Sequence, residues 1–265
     1  ITHGNGPQVG FILLRSEHSR GLLHQVPLDS IVADTQGALG YQLQQALENE
    51  FRRRGLKKSV ATIVTQTLVD RNDTAFNKPT KPIGEFYTRE QAEERMSVEH
   101  WTMVEDAGRG WRRVVASPKP VRIIEAEVVR HLVKDGYVVV AAGGGGIPVV
   151  ADESGMLSGV AAVIDKDLAS AVLANQIGAD LLVISTAVEK VCLNFGKPDQ
   201  RGLDSLSVAQ ARELADGGHF AAGSMLPKVQ ACMHFIEHGG REAVITCPAR
   251  LSTALDCHDG TRILP

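Results

Sequence analysis

Cysteine is scarce in this chain and poorly spaced for chemistry. Only four stand among 265 residues, at Cys192, Cys232, Cys247 and Cys257, and no Cys-x-x-Cys pair occurs. That excludes a zinc ribbon or a redox dithiol, and scattered thiols suit a reduced cytosolic protein. Cys257 and His258 are a lone neighbouring Cys-His pair, and the pair reads as incidental. Long apolar runs are missing too. The longest uncharged one, Tyr137 to Ala151, contains four glycines and is shorter than the roughly 20 residues of a membrane-spanning helix. Positive charge is not in excess: 28 Lys and Arg face 31 Asp and Glu, for a net charge of −3. No global basic field therefore suits the chain to nucleic acid. Neither G-x-x-x-x-G-K-[ST] nor G-x-G-x-x-G is present, so the P-loop and dinucleotide fingerprints are excluded. Internal repeats and low-complexity tracts are absent as well, and no signal-peptide pattern follows Ile1.

What is present is a globular composition, 43% hydrophobic and 22% charged, with enough apolar material for a large core. Strands alternate with amphipathic helices. A helix is predicted over Leu28 to Arg54, with Leu39, Leu43 and Leu47 on one stripe, followed by a strand over Ser59 to Thr65. A second helix reads Arg122 to Lys134 with Ile124, Val128 and Leu132 aligned; Asp135-Gly136 ends it and feeds a buried strand, Tyr137 to Ala142. Val160 to Val163 reads as strand, Lys166 to Ile177 as helix and Asp180 to Ser185 as strand. Helices are predicted at Val208 to Leu214 and Ser224 to His238, and a strand at Glu242 to Thr246. Apolar strands separated by helices imply an α/β fold with a mainly parallel sheet covered on both faces. About residues 70 to 120 break this rhythm with Pro79, Pro82, Pro118 and Pro120, many charges and a short helix at Arg89 to Met96. That stretch reads as a lid inserted into the main domain.

Three glycine turns stand at predicted element boundaries: His3 to Gly10, Gly143 to Pro148, and Gly223 to Lys228. Glycine lets the backbone approach a ligand and turn its N–H groups inward, and a following helix N-terminus favours an anion. A tight turn would account for any one of them; four consecutive glycines after a buried strand are harder to explain that way, since each costs conformational entropy. Asp165-Lys166-Asp167 opens a helix, with Asp165 as its N-cap. Lys81 lies between two prolines in Pro79-Thr80-Lys81-Pro82. Glycine loops plus separate lysines supply the positioning and positive charge that phosphoryl transfer demands, without a covalent nucleophile.

Taken together, HGNGPQVG (3–10), ADTQGALGY (33–41), PTKPIG (79–84), EDAGRGWRRVVASPKP (105–120), GGGGIPVV (143–150), AVIDKDLAS (162–170) and GHFAAGSMLPK (218–228) resemble the carbamate kinases of the amino-acid kinase family. The likeness runs in order along the whole chain, 1–265. It implies a three-layer αβα sandwich around a mainly parallel sheet, with a protruding lid. It implies reversible phosphoryl transfer between carbamoyl phosphate and ADP, giving ATP and carbamate with Mg²⁺, in a cytosolic homodimer. By motif, Lys81, Lys166 and Lys228 resemble the family's phosphate-binding lysines. Asp167 resembles the carboxylate that orients lysines and helps hold the metal. Gly4, Asn5 and Gly6, with Gly143, Gly144, Gly145 and Gly146, would line the carbamate and phosphate side. Thr186 to Lys197, with Met225, would lie near adenine and ribose.

The family's first strand ends in a Gly-Gly-Asn loop that this chain does not contain. Ile1-Thr2 reads as the end of a strand, so that strand and loop are expected upstream of Ile1. Another amino-acid kinase, acting on a carboxylate or a nucleotide, is an alternative, as is a non-catalytic nucleotide or carbamoyl-phosphate binding homologue. Arg109, Arg112 and Arg113 could suggest nucleic acid, but Glu105 and Asp106 beside them favour a lid surface. The lid is expected to close as a rigid body about hinges near Asp70 and Pro120, carrying Lys81 to the substrate.

Overall fold

A computed structural model describes residues 1–106, 108–256 and 259–265; the adjacent pair Cys257 and His258 lies outside the described residues. The chain divides into two units, Ile1–Ala169 and Ser170–Pro265, each a mixture of helices and sheets.

In the first unit, α1 (Gly6–His18) opens with Pro7 in its first turn, where the missing N–H would have had no partner and the fixed φ suits a helix. The sequence reading treated this stretch only as a glycine turn, because Gly6 and Gly10 weaken the helical signal that Val9, Ile12 and Leu13 carry. The long helix α2 (Leu28–Arg53) buries Leu28, Ile31, Val32, Thr35, Gln36 and Gly40 on one stripe. Leu39, Leu43 and Leu47 continue that stripe half-buried, as expected. Next come β1 (Val60–Thr62), β2 (Gln66–Val69), β3 (Lys81–Tyr87), α3 (Arg89–Glu99), β4 (Met103–Glu105) and β5 (Trp111–Val115). They are followed by β6 (Pro120–Ile123), α4 (Ala126–Lys134), β7 (Val138–Val140), β8 (Ile147–Ala151), β9 (Leu157–Gly159) and α5 (Lys166–Ile177), which runs on into the second unit. The ladders β1–β7 and β2–β8 are parallel, with β6 and β9 added antiparallel on either side of β2–β8. β3, β5 and β4 form a separate antiparallel sheet.

Several elements differ from the sequence reading: the strand expected over Ser59 to Thr65 is Val60–Thr62, that over Tyr137 to Ala142 is Val138–Val140, and the helix expected over Arg89 to Met96 runs to Glu99. Arg122 and Ile123 are strand, paired with Leu68 and Thr67, and the helix begins only at Ala126. Glu125, just before α4, ties that corner to β2 through bonds from the backbone N–H (2.7 Å) and side-chain amide (2.8 Å) of Gln66. The buried face of α4 is therefore Ala126 and Val129, while Val128 is 50% exposed. The predicted end holds: Gly136 has φ +88°, and the N–H of Tyr137 donates to the Leu132 carbonyl at 3.0 Å. Val160 to Val163 is not a strand; only Ala162 forms an isolated parallel bridge, to Ala116.

The segment predicted as a lid comprises β3, α3, β4 and β5, and its root is packed into the unit. Ile83 and Val115 share one buried cluster with Val9, Leu28, Ile31 and Val32. Ile83 and Val115 both lie within the segment between the hinge positions expected at Asp70 and Pro120.

The second unit contains β10 (Leu181–Ser185), β11 (Cys192–Leu193), β12 (Arg201–Gly202), β13 (Ser205–Ser207), α6 (Val208–Asp216), α7 (Met225–Glu237), β14 (Glu242–Thr246), α8 (Leu251–Leu255) and β15 (Thr261–Leu264). Its main sheet has the order β10-β14-β15-β13, parallel for β10–β14 and β13–β15 and antiparallel for β14–β15. Ser207 and Gln210 form a capping box that starts α6. On α7, Val229, Ala231, Cys232, Met233, Phe235 and Ile236 are buried. Among the described residues no helix is long and apolar enough to cross a membrane.

Candidate active site

Two glycine loops far apart in sequence are joined by one backbone bond: the N–H of Gly144 donates to the carbonyl of His3 at 2.8 Å. The His3-to-Gly6 loop leads into α1, and Gly143–Gly145 is a 3₁₀ turn between β7 and β8. Asn5 occupies the N-cap position of α1, but its side chain does not cap the helix. Its Nδ2 donates instead to Thr35 Oγ1 at 2.9 Å, and Thr35 Oγ1 donates to the Val32 carbonyl at 2.7 Å. The side chain is thus committed to α2, and no acidic residue stands in the first turn of α1. This leaves the start of α1 as a site suited to an anion.

The four glycines Gly143 to Gly146 are buried, and the backbone of the last three favours glycine, while a Cβ on Gly143 would fall 2.4 Å from His3 Nε2. Gly144, Gly145 and Gly146 have φ of +68°, +95° and +89°, and a Cβ on Gly144 would fall 2.1 Å from Asn5 Nδ2. A buried polar cluster holds this turn. Gln36 Nε2 donates to the carbonyls of Thr65 and Gly143, both at 3.1 Å, while Gln36 Oε1 accepts from Thr65 N–H at 2.8 Å. Thr65 Oγ1 accepts from Ala142 N–H at 3.0 Å, and Thr67 Oγ1 donates to the Gly145 carbonyl at 2.8 Å.

The start of α5 is built differently. Asp165 Oδ1 accepts from the N–H groups of Asp167 (3.0 Å) and Leu168 (3.2 Å), so this helix end is closed by its own cap, as predicted. Its positive charge comes from Lys166, whose Nζ donates to Asp167 Oδ1 at 2.7 Å. The Lys166 stem lies over the first glycine loop, since a Cβ on Gly4 would meet Lys166 Cδ at 3.5 Å. Asp167 is buried. Lys81, the first residue of β3, places Nζ 3.4 Å from Asp165 Oδ2. Gly4, Asn5, Gly6, Gly143 to Gly146, Lys81, Lys166 and Asp167 therefore all belong to the first unit, joined through these contacts.

The remaining predicted residues belong to the second unit. Met225 and Lys228 share the first turn of α7. Thr186 follows β10, and its N–H donates to the Thr246 carbonyl at 2.7 Å. Lys197 is exposed between β11 and β12, with its N–H on the Asn194 carbonyl at 2.9 Å.

Sequence reasoning did not single out Thr35, Gln36, Thr65 and Thr67, which are all nearly fully buried. Thr35 and Gln36 interrupt the apolar stripe of α2, and Thr65 just precedes β2 while Thr67 stands within it. Polar residues at core-facing positions must find partners, and that was the available signal.

The chain matches the model of the amino acid kinase family over residues 1–247. It is 53% identical to the carbamate kinase-like protein YahI of Escherichia coli, covering 100% of this chain and 84% of that protein. With the carbamate kinase of Thermococcus kodakarensis the identity is 49%, again over 100% of this chain and 84% of that protein. A solved structure of Giardia lamblia carbamate kinase bound to AMP-PNP superposes with a TM-score of 0.93 at 43% identity, covering 99% of this chain and 83% of that one. The joined glycine loops and the Asp-Lys-Asp helix start thus sit in a chain that, by sequence and by fold, is a member of the amino-acid kinase family.

Proposed function

We propose that this protein is a carbamate kinase, transferring a phosphoryl group reversibly between carbamoyl phosphate and ADP to give ATP and carbamate. The observation that carries the reading is the joining of the two glycine loops at Gly144 and His3 beneath the Lys166 stem, in a chain about half identical to proteins of that name. In the direction of ATP synthesis, an oxygen of the ADP terminal phosphate attacks phosphorus and the bond from phosphorus to the carbamate oxygen breaks. The transferred group needs no protein nucleophile. It needs fixed positive charge and aimed N–H donors that act most strongly as charge redistributes.

The start of α1 would receive the carbamoyl-phosphate oxygens, with the Gly143-to-Gly146 turn beside it as a wall of the site, its Gly144, Gly145 and Gly146 N–H groups being bonded to the carbonyls of His3, Ala142 and Gly143. Lys81 and Lys166 would offset the phosphate charge, and Asp167 would hold Lys166 in place by the 2.7 Å bond. By resemblance, Lys228 has the same task as Lys166, and Thr186, Lys197 and Met225 serve the nucleotide. Among the described residues no three His, Cys, Asp or Glu side chains form a metal cage. The buried Asp167 carboxylate is the protein group that fits Mg²⁺, which is commonly held by one or two carboxylates plus substrate phosphates. When bound, Mg²⁺ would neutralise the nucleotide phosphates. We read the enzyme as a cytosolic homodimer acting on small molecules, with neither nucleic acid nor membrane as partner.

The test is ATP formation from ADP and carbamoyl phosphate with Mg²⁺, run beside a panel of carboxylate and nucleotide acceptors. ATP from carbamoyl phosphate is expected. Binding of both substrates without turnover would overturn the assignment in favour of a non-catalytic homologue, and a preferred acceptor in the panel would move it to another kinase.

A further inference from the structure

We infer that Asp165 is a positioning residue for Lys81, a role separate from its capping of α5. The two oxygens of this carboxylate are used differently. Oδ1 takes the N–H groups of Asp167 and Leu168, which leaves Oδ2 to face Lys81 Nζ at 3.4 Å.

The backbones behind the pair are also joined. Lys81 stands opposite Val115 in the β3–β5 ladder. One residue on, Ala116 bridges Ala162, and its carbonyl accepts from Val163 N–H at 3.0 Å, two residues before Asp165. Lys81 thus sits at the pinned root of the inserted segment, beside the core residues Ile83 and Val115, so the fold itself sets its charge in place.

The contact is loose enough to serve a substrate. The Lys81 side chain is 40% exposed and that of Asp165 18%, and an ammonium has three donors. Lys81 can keep Asp165 and still offer two donors to an anion. Asp165 brings a negative charge to an anion site, tolerable only while Lys81 balances it. Removing Lys81 should therefore do two kinds of harm: a donor is lost, and a carboxylate is left facing the substrate.

This inference rests on the proposed function, with carbamoyl phosphate as the anion, and its test separates the two. Four proteins are compared: wild type, Asp165→Asn, Lys81→Ala and the double variant. Asparagine caps a helix about as well as aspartate, so Asp165→Asn should leave Tm nearly unchanged. Alone, it should raise KM for carbamoyl phosphate about three- to tenfold, leaving KM for ADP unaltered. Lys81→Ala should raise KM further, and adding Asp165→Asn to it should bring KM partly back down. The affinity of inorganic phosphate, measured by calorimetry, should follow the same order in all four proteins. A wild type that turns over no carbamoyl phosphate defeats the functional reading alone, and the phosphate series still decides the pair. Independent effects of the two substitutions on phosphate affinity, or a KM for ADP that shifts as much as that for carbamoyl phosphate, would overturn the role of Asp165.

Discussion

Gly144 and Asn5 are packed so closely that no side chain fits between them: a Cβ on Gly144 would lie 2.1 Å from Asn5 Nδ2 and 2.3 Å from its Cγ. Asn5 cannot retreat without breaking its 2.9 Å bond to Thr35. Gly144 also has φ +68°, where a side chain costs about 1–2 kcal/mol. Gly144→Ala should therefore displace the loop that opens α1 and lower kcat/KM for carbamoyl phosphate at least about tenfold. Gly155→Ala is the control. Gly155 has a similar φ of +85°, but an added Cβ there meets nothing within 4 Å. Kinetics and Tm of both variants check the claim. Equal, small effects would mean that the packing of Asn5 against Gly144 has no bearing on the site.

Gln36 is the support beneath the other loop. Its amide satisfies Thr65 at both N–H and carbonyl, and the Gly143 carbonyl as well. Gln36→Leu keeps a similar volume but orphans the buried Thr65 N–H, at a cost of about 1–3 kcal/mol, while the carbonyls of Thr65 and Gly143 lose one partner and keep the N–H groups of Ile147 and Gly146. Denaturant unfolding should show a loss of about 1–3 kcal/mol. Stability within about 0.5 kcal/mol of wild type would mean that water or a neighbour takes over those groups.

Lys166 and Lys228 are expected to act on the transition state more than on binding. Lys166→Ala and Lys228→Ala should each lower kcat by about 10²–10³-fold while changing the nucleotide Kd far less. Asp167→Asn removes the charge that Lys166 meets at 2.7 Å, and it should both impair turnover and weaken the dependence on Mg²⁺ concentration. Steady-state kinetics with Mg²⁺ titration, beside direct nucleotide binding, separates these effects. Near wild-type turnover in either lysine variant would return that residue to an ordinary helix-start role.

How much of this was legible beforehand depended on the kind of signal. Lys166–Ile177 and Glu242–Thr246 match the predicted bounds because an aspartate cap opens the first and a continuous β-branched run marks the second. The helix expected from Arg122 begins at Ala126 because the pairing of Arg122 with Leu68 outcompetes local helix propensity. A partner more than fifty residues away leaves no mark in a local window. Among the candidate site residues, the glycines and lysines could be proposed from their chemistry and by resemblance. The buried amide of Gln36 was not, because its value comes from Thr65 and Gly143, distant in sequence and brought to it only by the fold.

A pH effect follows from His234 on α7. Burial holds this imidazole below the ordinary histidine value of 6.5, aided by His238, whose ring centroid is 4.0 Å away. Above that value both folded and unfolded chains hold His234 neutral, and it contributes no pH dependence. Below it the unfolded chain takes up a proton that the folded one resists, so stability falls with pH until the folded pKa is passed. Tm measured from pH 8 to 5 should decline from about 6.5 downward, and His234→Gln should flatten the decline. An identical slope in the variant would assign the effect to other groups.

The last prediction concerns the outer part of the inserted segment. α3 is tied to the far end of α1 by two crossed ion pairs, Arg95 with Glu17 at 3.1 Å and Arg20 with Glu99 at 2.6 Å. Arg95 also pairs with Glu99 along α3. Trp101 packs beside them, with the Arg113 guanidinium 4.3 Å and that of Arg95 5.1 Å from its ring centre. The carboxylates are only 11% and 12% exposed, so they depend on these arginines more than surface ions would. Arg95→Ala takes a cation from both at once and removes one face of the Trp101 stack. The cost should be about 1–2 kcal/mol and local, because the Ile83 and Val115 root is untouched. Limited proteolysis should then cut faster within residues 89–106, while the Tm of the whole chain changes little. Arg89→Ala, which removes an exposed pair with Glu93 on the same helix, should leave the cutting rate as in wild type. Equal protection of Arg95→Ala and wild type would show that neither the ion pairs of Arg95 nor its stacking on Trp101 holds α3 to α1.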